Sequence, residues 1–274
     1  MTEPVISNVM PRRMLGENAL KTATKLWFAV LVLGQALFLY FIFAFYAPGL
    51  MSGDLEAWNR HPMIRDPFVH GDALGNVAFA SHIILAAVIT LGGTLQLIPW
   101  VRARAIGVHR WNGRVFMLAA IGASLSGLYA VWGREGGSDD LISDISITLN
   151  GILILIFAGL AWRAAAIRRV AAHRRWALRA FVATNGVFFL RFGFGGWIVI
   201  TQTSPSSEVF HLFAFLSYLL PLAFTELYLK ASQAEDRTKS LMAGLVMTSA
   251  VYLAIGCFGF YFVFMQPILN AAPV

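Results

Sequence analysis

Only one cysteine occurs in the chain, Cys257, and it lies within an apolar run. A lone thiol excludes a disulfide framework, a cysteine-ligated iron–sulfur cluster and covalent CxxCH haem attachment. Cys257 reads as a small packing residue. Charge is scarce as well. Asp, Glu, Lys and Arg make up 13% of the 274 residues, against roughly 25% in a soluble domain. No strand-like alternation and no internal repeat stands out. The first apolar run has no small-residue cleavage site after it, so it reads as a retained helix rather than a removed signal peptide.

Apolar residues fill the space that charge leaves. The chain is 58% hydrophobic, with a mean hydropathy of +0.68. Lipid is the solvent that accounts for this, because a membrane-crossing helix needs roughly 20 apolar residues. Seven runs qualify: Lys25–Tyr46, Val77–Trp100, Trp111–Trp132, Leu141–Trp162, Trp176–Ile200, Val209–Leu229 and Leu241–Met265. The expected fold is all-α, a polytopic membrane bundle of seven transmembrane helices. Residues 1–24 form a cytoplasmic N-terminal segment and 25–274 a single transmembrane bundle.

The net charge of +7 points to topology rather than to nucleic acid, because the basic residues fall in alternate loops. Arg12, Arg13, Lys21 and Lys25 precede the first run, and Arg102, Arg104, Arg110 and Arg114 follow the second. Arg163, Arg168, Arg169, Arg174 and Arg175 separate the fourth from the fifth, with Arg179 just inside the fifth, and Lys230, Arg237 and Lys239 separate the sixth from the seventh. Asp54, Glu56, Asp66 and Asp72 lie in one of the other loops, and Glu135, Asp139, Asp140 and Asp144 near another. The N-terminus is expected in the cytoplasm and the C-terminus outside, in a bacterial inner membrane, with the lipid bilayer as partner and no nucleic acid. Pro48, Pro62 and Pro67 argue against a long helix between the first two spans. His61 and His70, in that loop, read as solvated.

Ionisable groups inside spans are costly and mark function by default. At 1.5 Å per residue, His82 falls about 7 Å inside the outer face and Arg191 about 13 Å deep, with His211 near the outer interface. These three are expected to share an outer site. His109 and His173 open the third and fifth runs and are expected to meet at the cytoplasmic face. Arg114 and Arg179 lie one to two turns further in. Glu226 falls at nearly their depth, and Glu226 with Arg179 reads as a structural ion pair fixing helix register.

Haem b in a membrane needs two axial nitrogens from facing helices, arginines for its propionates and small residues where a helix crosses its face. His109 with His173, and His82 with His211, would give one ligand pair per face and a transmembrane electron path. Arg114, Arg179 and Arg191 are the cofactor-binding cations of that reading. A quinone or a membrane redox partner fits as well, since histidine and carboxylate exchange protons. The competing readings are structural. Each histidine can sit among headgroups or bond a backbone carbonyl, the glycines can serve helix packing, and Gln96, Asn150 and Asn185 suit interhelical hydrogen bonds. A non-redox protein (an assembly factor, a small transporter or a lipid- or anion-binding protein) would use the arginine–glutamate cluster. A transporter would show inverted repeats or broken helices, and the nearest thing to a break is the GFGG at 193–196.

The histidine that opens the second run, the HRWNGRVF beginning at His109, the HRRWALRAF beginning at His173, the FFLRFGFGG around Arg191 and the PLAFTELYLK around Glu226 resemble the bacterial membrane proteins of domain of unknown function 2306. The resemblance covers roughly Asn76 to Lys230. His82, His109, Arg114, His173, Trp176, Arg179, Arg191 and Glu226 match its recurring positions. Where the family pattern reads HRRWMIR, this chain has Ala177 and Leu178 before Arg179. The resemblance implies a membrane fold, with the first and last helices as additions to a core, and implies no activity. The spaced histidines are also similar to those of diheme b561-type cytochromes. There the ligands fall on four consecutive helices, whereas here the fourth run holds no histidine and an outer pair recruits the sixth.

Overall fold

The computed structural model describes residues 15–61, 67–134 and 140–270, and among them all regular structure is helical. In chain order the helices are α1 (Leu15–Ser52), α2 (Ala73–Leu97), the short α3 (Pro99–Arg104), α4 (Ile106–Trp132), α5 (Leu141–Ala166), α6 (Val170–Thr184), α7 (Gly186–Thr201), α8 (Ser207–Ala231), α9 (Asp236–Phe260) and the short α10 (Gln266–Asn270). A 3-10 turn, Leu55–Arg60, follows α1, and a π-helical turn, Tyr261–Met265, joins α9 to α10. Six of these helices are long and apolar enough to cross a membrane, and the bent pair α6–α7 makes a seventh span if it crosses as one. The chain is therefore an all-helical integral membrane bundle. Leu33, Phe43, Ile84, Leu125, Ile152, Leu220 and Phe258 stand exposed along the spans, as a lipid-facing surface requires.

Side-chain caps set where α2, α5 and α8 start. Asp72 accepts from the Gly75 amide at 2.8 Å, Asp140 from the Ser143 amide at 3.2 Å and Ser206 from the Val209 amide at 3.5 Å, the usual chemistry at a helix start. α1 is already helical at Leu15, the first described residue, well before the expected Lys25. The Asp236 carboxylate accepts from the Gly16 and Glu17 amides at 3.0 and 3.2 Å, so the start of α9 caps the start of α1.

Two sequence expectations are corrected. α1 runs through Pro48 to Ser52 instead of stopping at the proline. Trp58, fully buried, folds back on this last stretch and donates from its indole nitrogen to the Tyr46 carbonyl at 3.1 Å. The fifth expected span is not one straight helix. It bends by 52° between α6 and α7, at Asn185 rather than at the GFGG. Gln35 of α1 donates to the Asn185 side chain at 2.6 Å, and Asn185 donates to the Phe181 carbonyl at 2.7 Å. A break inside a membrane needs such replacement partners for the freed backbone.

α1 packs along α9, α2 along α4, and α5 along α6, while α7 lies against α9. The tightest crossing is between α7 and α9. A Cβ added to Gly195 would lie 2.6 Å from the Phe260 amide nitrogen and 2.8 Å from the Gly256 carbonyl oxygen. Only glycine lets the two backbones touch there. The loops with Arg102, Arg104, Arg168, Arg169 and Lys230 gather at one end of the bundle, the basic end. Asp54, Asp72 and Asp140 lie at the opposite, acidic end.

Candidate functional site

At the basic end, His109 sits in the first turn of α4 and His173 in the first turn of α6. His173 donates from Nδ1 to the carbonyl of Ala161, at 2.9 Å, near the end of α5. A carbonyl can only accept, so the proton is on Nδ1 and the lone pair on Nε2. Histidines that ligate metals are oriented in this way. His109 lies within electrostatic range of His173, Arg102 and Arg110. Its Nδ1 is buried and has no hydrogen-bond partner, while its backbone carbonyl accepts from the Gln96 side chain at 2.8 Å. One helical turn along, Asn112 donates to the Gly92 carbonyl at 2.8 Å. About two helical turns further along α4 and α6, Phe116 and Phe181 stack at 6.5 Å between centroids.

The arginines expected to serve this pair are placed otherwise. Arg114 is exposed and stacks on Trp111 at 5.3 Å. Arg179 makes a two-point ion pair with Glu226, at 2.7 and 2.8 Å, and covers the Trp176 ring at 4.6 Å. That pair borders a cavity of about 530 Å³ between α6 and α8, lined also by Arg174, Arg175 and Lys230. The cations beside His109 are Arg102 and Arg110, which in the sequence stand out only as a topology signal.

At the acidic end, His82 donates from Nδ1 to the Ala123 carbonyl at 2.9 Å, with its ring against Gly127. Its lone pair is likewise on Nε2. His211 goes elsewhere: its Nε2 donates to the Asp140 carboxylate at 2.8 Å, tying α8 to the start of α5. Arg191 of α7 lies within electrostatic range of His82, Tyr46 and His61. Of the three residues expected to share an outer site, the structure therefore brings Arg191 near His82 and occupies His211 with Asp140.

Arg191 is enclosed by aromatic rings, with its guanidinium carbon 5.5, 5.1 and 5.6 Å from the centroids of Phe38, Phe41 and Phe264. The Tyr46 hydroxyl is within electrostatic range of the guanidinium. Each ring contributes about 0.5–2 kcal/mol, and placing an arginine mid-span costs about 2.5–3.5 kcal/mol on insertion scales. The rings thus offset the burial of the cation's flat faces. They do nothing for the N–H donors on its edge.

His61, expected to be solvated, is 4% exposed. It donates to the Phe264 carbonyl at 3.1 Å and lies against Phe41, Phe45 and Phe264. Burial holds its pKa below the usual 6.5, the Phe264 carbonyl opposes that shift, and Arg191 adds to it. Its only hint in the sequence is Trp58 three residues earlier. His70, by contrast, is exposed, 3.5 Å from Glu56.

Of the three amides expected to bond between helices, Gln96 and Asn185 do so, while the Asn150 side-chain oxygen is buried without a partner. Among the described residues no group of three or more His, Cys, Asp or Glu side chains could hold a bare metal ion.

Arg134, in the sequence the single base among the acids that follow the third run, is a part-buried clamp at the acidic end. It donates to Asp72, Asn76 and the Pro67 carbonyl at 2.9, 2.9 and 3.0 Å, joining the end of α4 to the start of α2. Its guanidinium, followed by the Gly75 amide, holds the Asp72 carboxyl below its usual value.

Comparison with known proteins returns one family. The family described as predicted membrane protein, DUF2306, matches residues 79–229. No curated protein and no solved structure matches the chain, so the likeness to b561-type cytochromes has no match behind it.

Proposed function

The chain belongs to the DUF2306 family of predicted membrane proteins, and from that premise we propose a membrane electron-transfer protein that holds a b-type haem at its basic end, between His109 and His173. The observation that carries this reading is the state of the two rings. His173 is oriented by a backbone carbonyl with its lone pair on Nε2. Nearby, His109 has a buried ring nitrogen that no protein group satisfies. Two imidazoles from non-consecutive helices are the donor set that a haem iron takes in a membrane. Arg102 and Arg110, rather than Arg114 and Arg179, would face the propionates. The haem would supply a one-electron relay near one membrane face; the protein orients the rings. The outer pair of His82 and His211 is not part of this proposal, because Asp140 holds His211. The basic end faces the cytoplasm in this reading, by the excess of arginine and lysine there.

Protein purified in detergent after haem-supplemented expression should show a haem absorption spectrum that changes on reduction. His173→Ala should abolish it and His70→Ala should leave it intact. A colourless wild-type protein would sink the reading. A second reading rests on the cavity between α6 and α8. With Arg174, Arg175, Arg179 and Lys230 on its walls, it suits the phosphate of an anionic lipid and needs no redox chemistry.

A further inference from the structure

Arg191 is a cation within a membrane-spanning bundle, and among the described residues no carboxylate lies within ion-pair reach of it. Every other arginine with an acid at hand uses it: Arg60 with Asp54, Arg134 with Asp72, Arg179 with Glu226. Phe38, Phe41 and Phe264 cover its faces. Five N–H donors lie in the guanidinium plane, and among the described residues the Tyr46 hydroxyl is an acceptor within electrostatic range. The histidines nearby add no negative charge. His61 is held toward its neutral form by burial, and His82 already gives its proton to the Ala123 carbonyl.

A planar fork of donors with no acid opposite among the described residues is complementary to a carboxylate, which accepts two parallel bonds. One cation matches a monoanion better than a phosphate dianion. Aromatic walls match an apolar body behind the charge. The cation comes from the family-matched segment, while α1 supplies Phe38, Phe41 and Tyr46, and the π-helical turn after α9 supplies Phe264, all from outside it.

We propose that Arg191, with the Tyr46 hydroxyl and the three phenylalanine rings, forms an intramembrane binding site for the carboxylate of a lipophilic molecule. The carboxylate belongs to a free fatty acid or to a haem propionate. The site does not depend on the haem proposed at the basic end.

The test is equilibrium binding of radiolabelled oleate to the purified full chain in detergent, with oleyl alcohol as the uncharged control. Saturable binding of about one oleate per chain is expected, with oleyl alcohol at background. Arg191→Gln should weaken oleate binding at least about tenfold, the factor set by roughly one lost charge-assisted contact. Should Arg191→Gln fail to fold, Arg191→Lys keeps the charge but loses the fork and should show weaker, still saturable binding. His173→Ala should not weaken oleate binding, whatever it does to haem content. Haem lost from Arg191→Gln, with haem blocking oleate in the wild type, would assign the carboxylate to a propionate. Haem content unchanged in Arg191→Gln, with oleate binding lost, would assign it to a fatty acid. Oleate binding equal in wild type and Arg191→Gln, or no better than that of oleyl alcohol, would overturn the proposal.

Discussion

Arg179 and Glu226 show how exposure changes the energy expected of one contact. Their depths in the sequence suggested a sealed ion pair, for which losing one partner costs about 3–5 kcal/mol. The two-point geometry is present, but the Glu226 side chain is 42% exposed and that of Arg179 18%. Solvent and headgroups screen such a pair, and about 0.5–1 kcal/mol is the expected cost of Glu226→Gln. Arg179→Gln should cost more, because it also removes the cation from the Trp176 ring. Thermal unfolding of both variants in detergent measures the difference, and equal or reversed losses would contradict it. The contrast with His61 is instructive. Its environment is made by Phe264, 203 residues away, so little beyond Trp58 in its own prolyl, polar neighbourhood announces that the ring is buried. Glu226 and Arg179 were legible because helix rise alone sets their depths.

Among the elements, the fifth run is where local reading and structure part. Its GFGG looked like the weak point of a helix, since glycine is a poor helix former. Those glycines instead form a contact face. Gly195 meets Gly256 and Gly259 of α9, residues too far along the chain for any local pattern to pair with it. The bend falls at Asn185, whose side chain bonds the Phe181 carbonyl and is itself held by Gln35 on α1, the second partner out of reach of local sequence. Gly195→Ala should therefore force α7 and α9 apart and cost about 1–3 kcal/mol, as overpacking does. Gly159, on an exposed face of α5 with nothing near a Cβ, is the control. Gly159→Ala should be neutral or should stabilise by up to about 1 kcal/mol through helix propensity. Melting temperatures of the two variants moving together would refute the contact-face reading.

The whole molecule was the most legible level, because composition and loop charge act over every residue at once. Low charge and seven apolar runs were enough to read an all-helical membrane bundle. The side-chain constellations were read less well, because they depend on which helices touch. Whether α6 and α7 cross together decides the side on which the C-terminus emerges. With the bent pair as a single span, reporter fusions at Ala105, Gly137, Ala171, Ser204 and Ala234 should report alternate sides, beginning with the cytoplasm. The same side reported at Ala171 and Ser204 would mean that the pair enters and leaves by one face.

The seam between α1 and α9 also orders events during synthesis. α1 is among the first helices made and α9 the last long one, yet each is the other's main neighbour, and Asp236 caps the start of α1. At about 5–20 residues per second, the ribosome needs on the order of 10 s or more to supply α9 after α1 has emerged. Through that interval the phenylalanines of α1 face lipid or a chaperone, and Arg191, once made, lacks Phe264. The nascent bundle thus passes through a stage in which its most costly cation is only partly enclosed, and arrival of the last helix closes it.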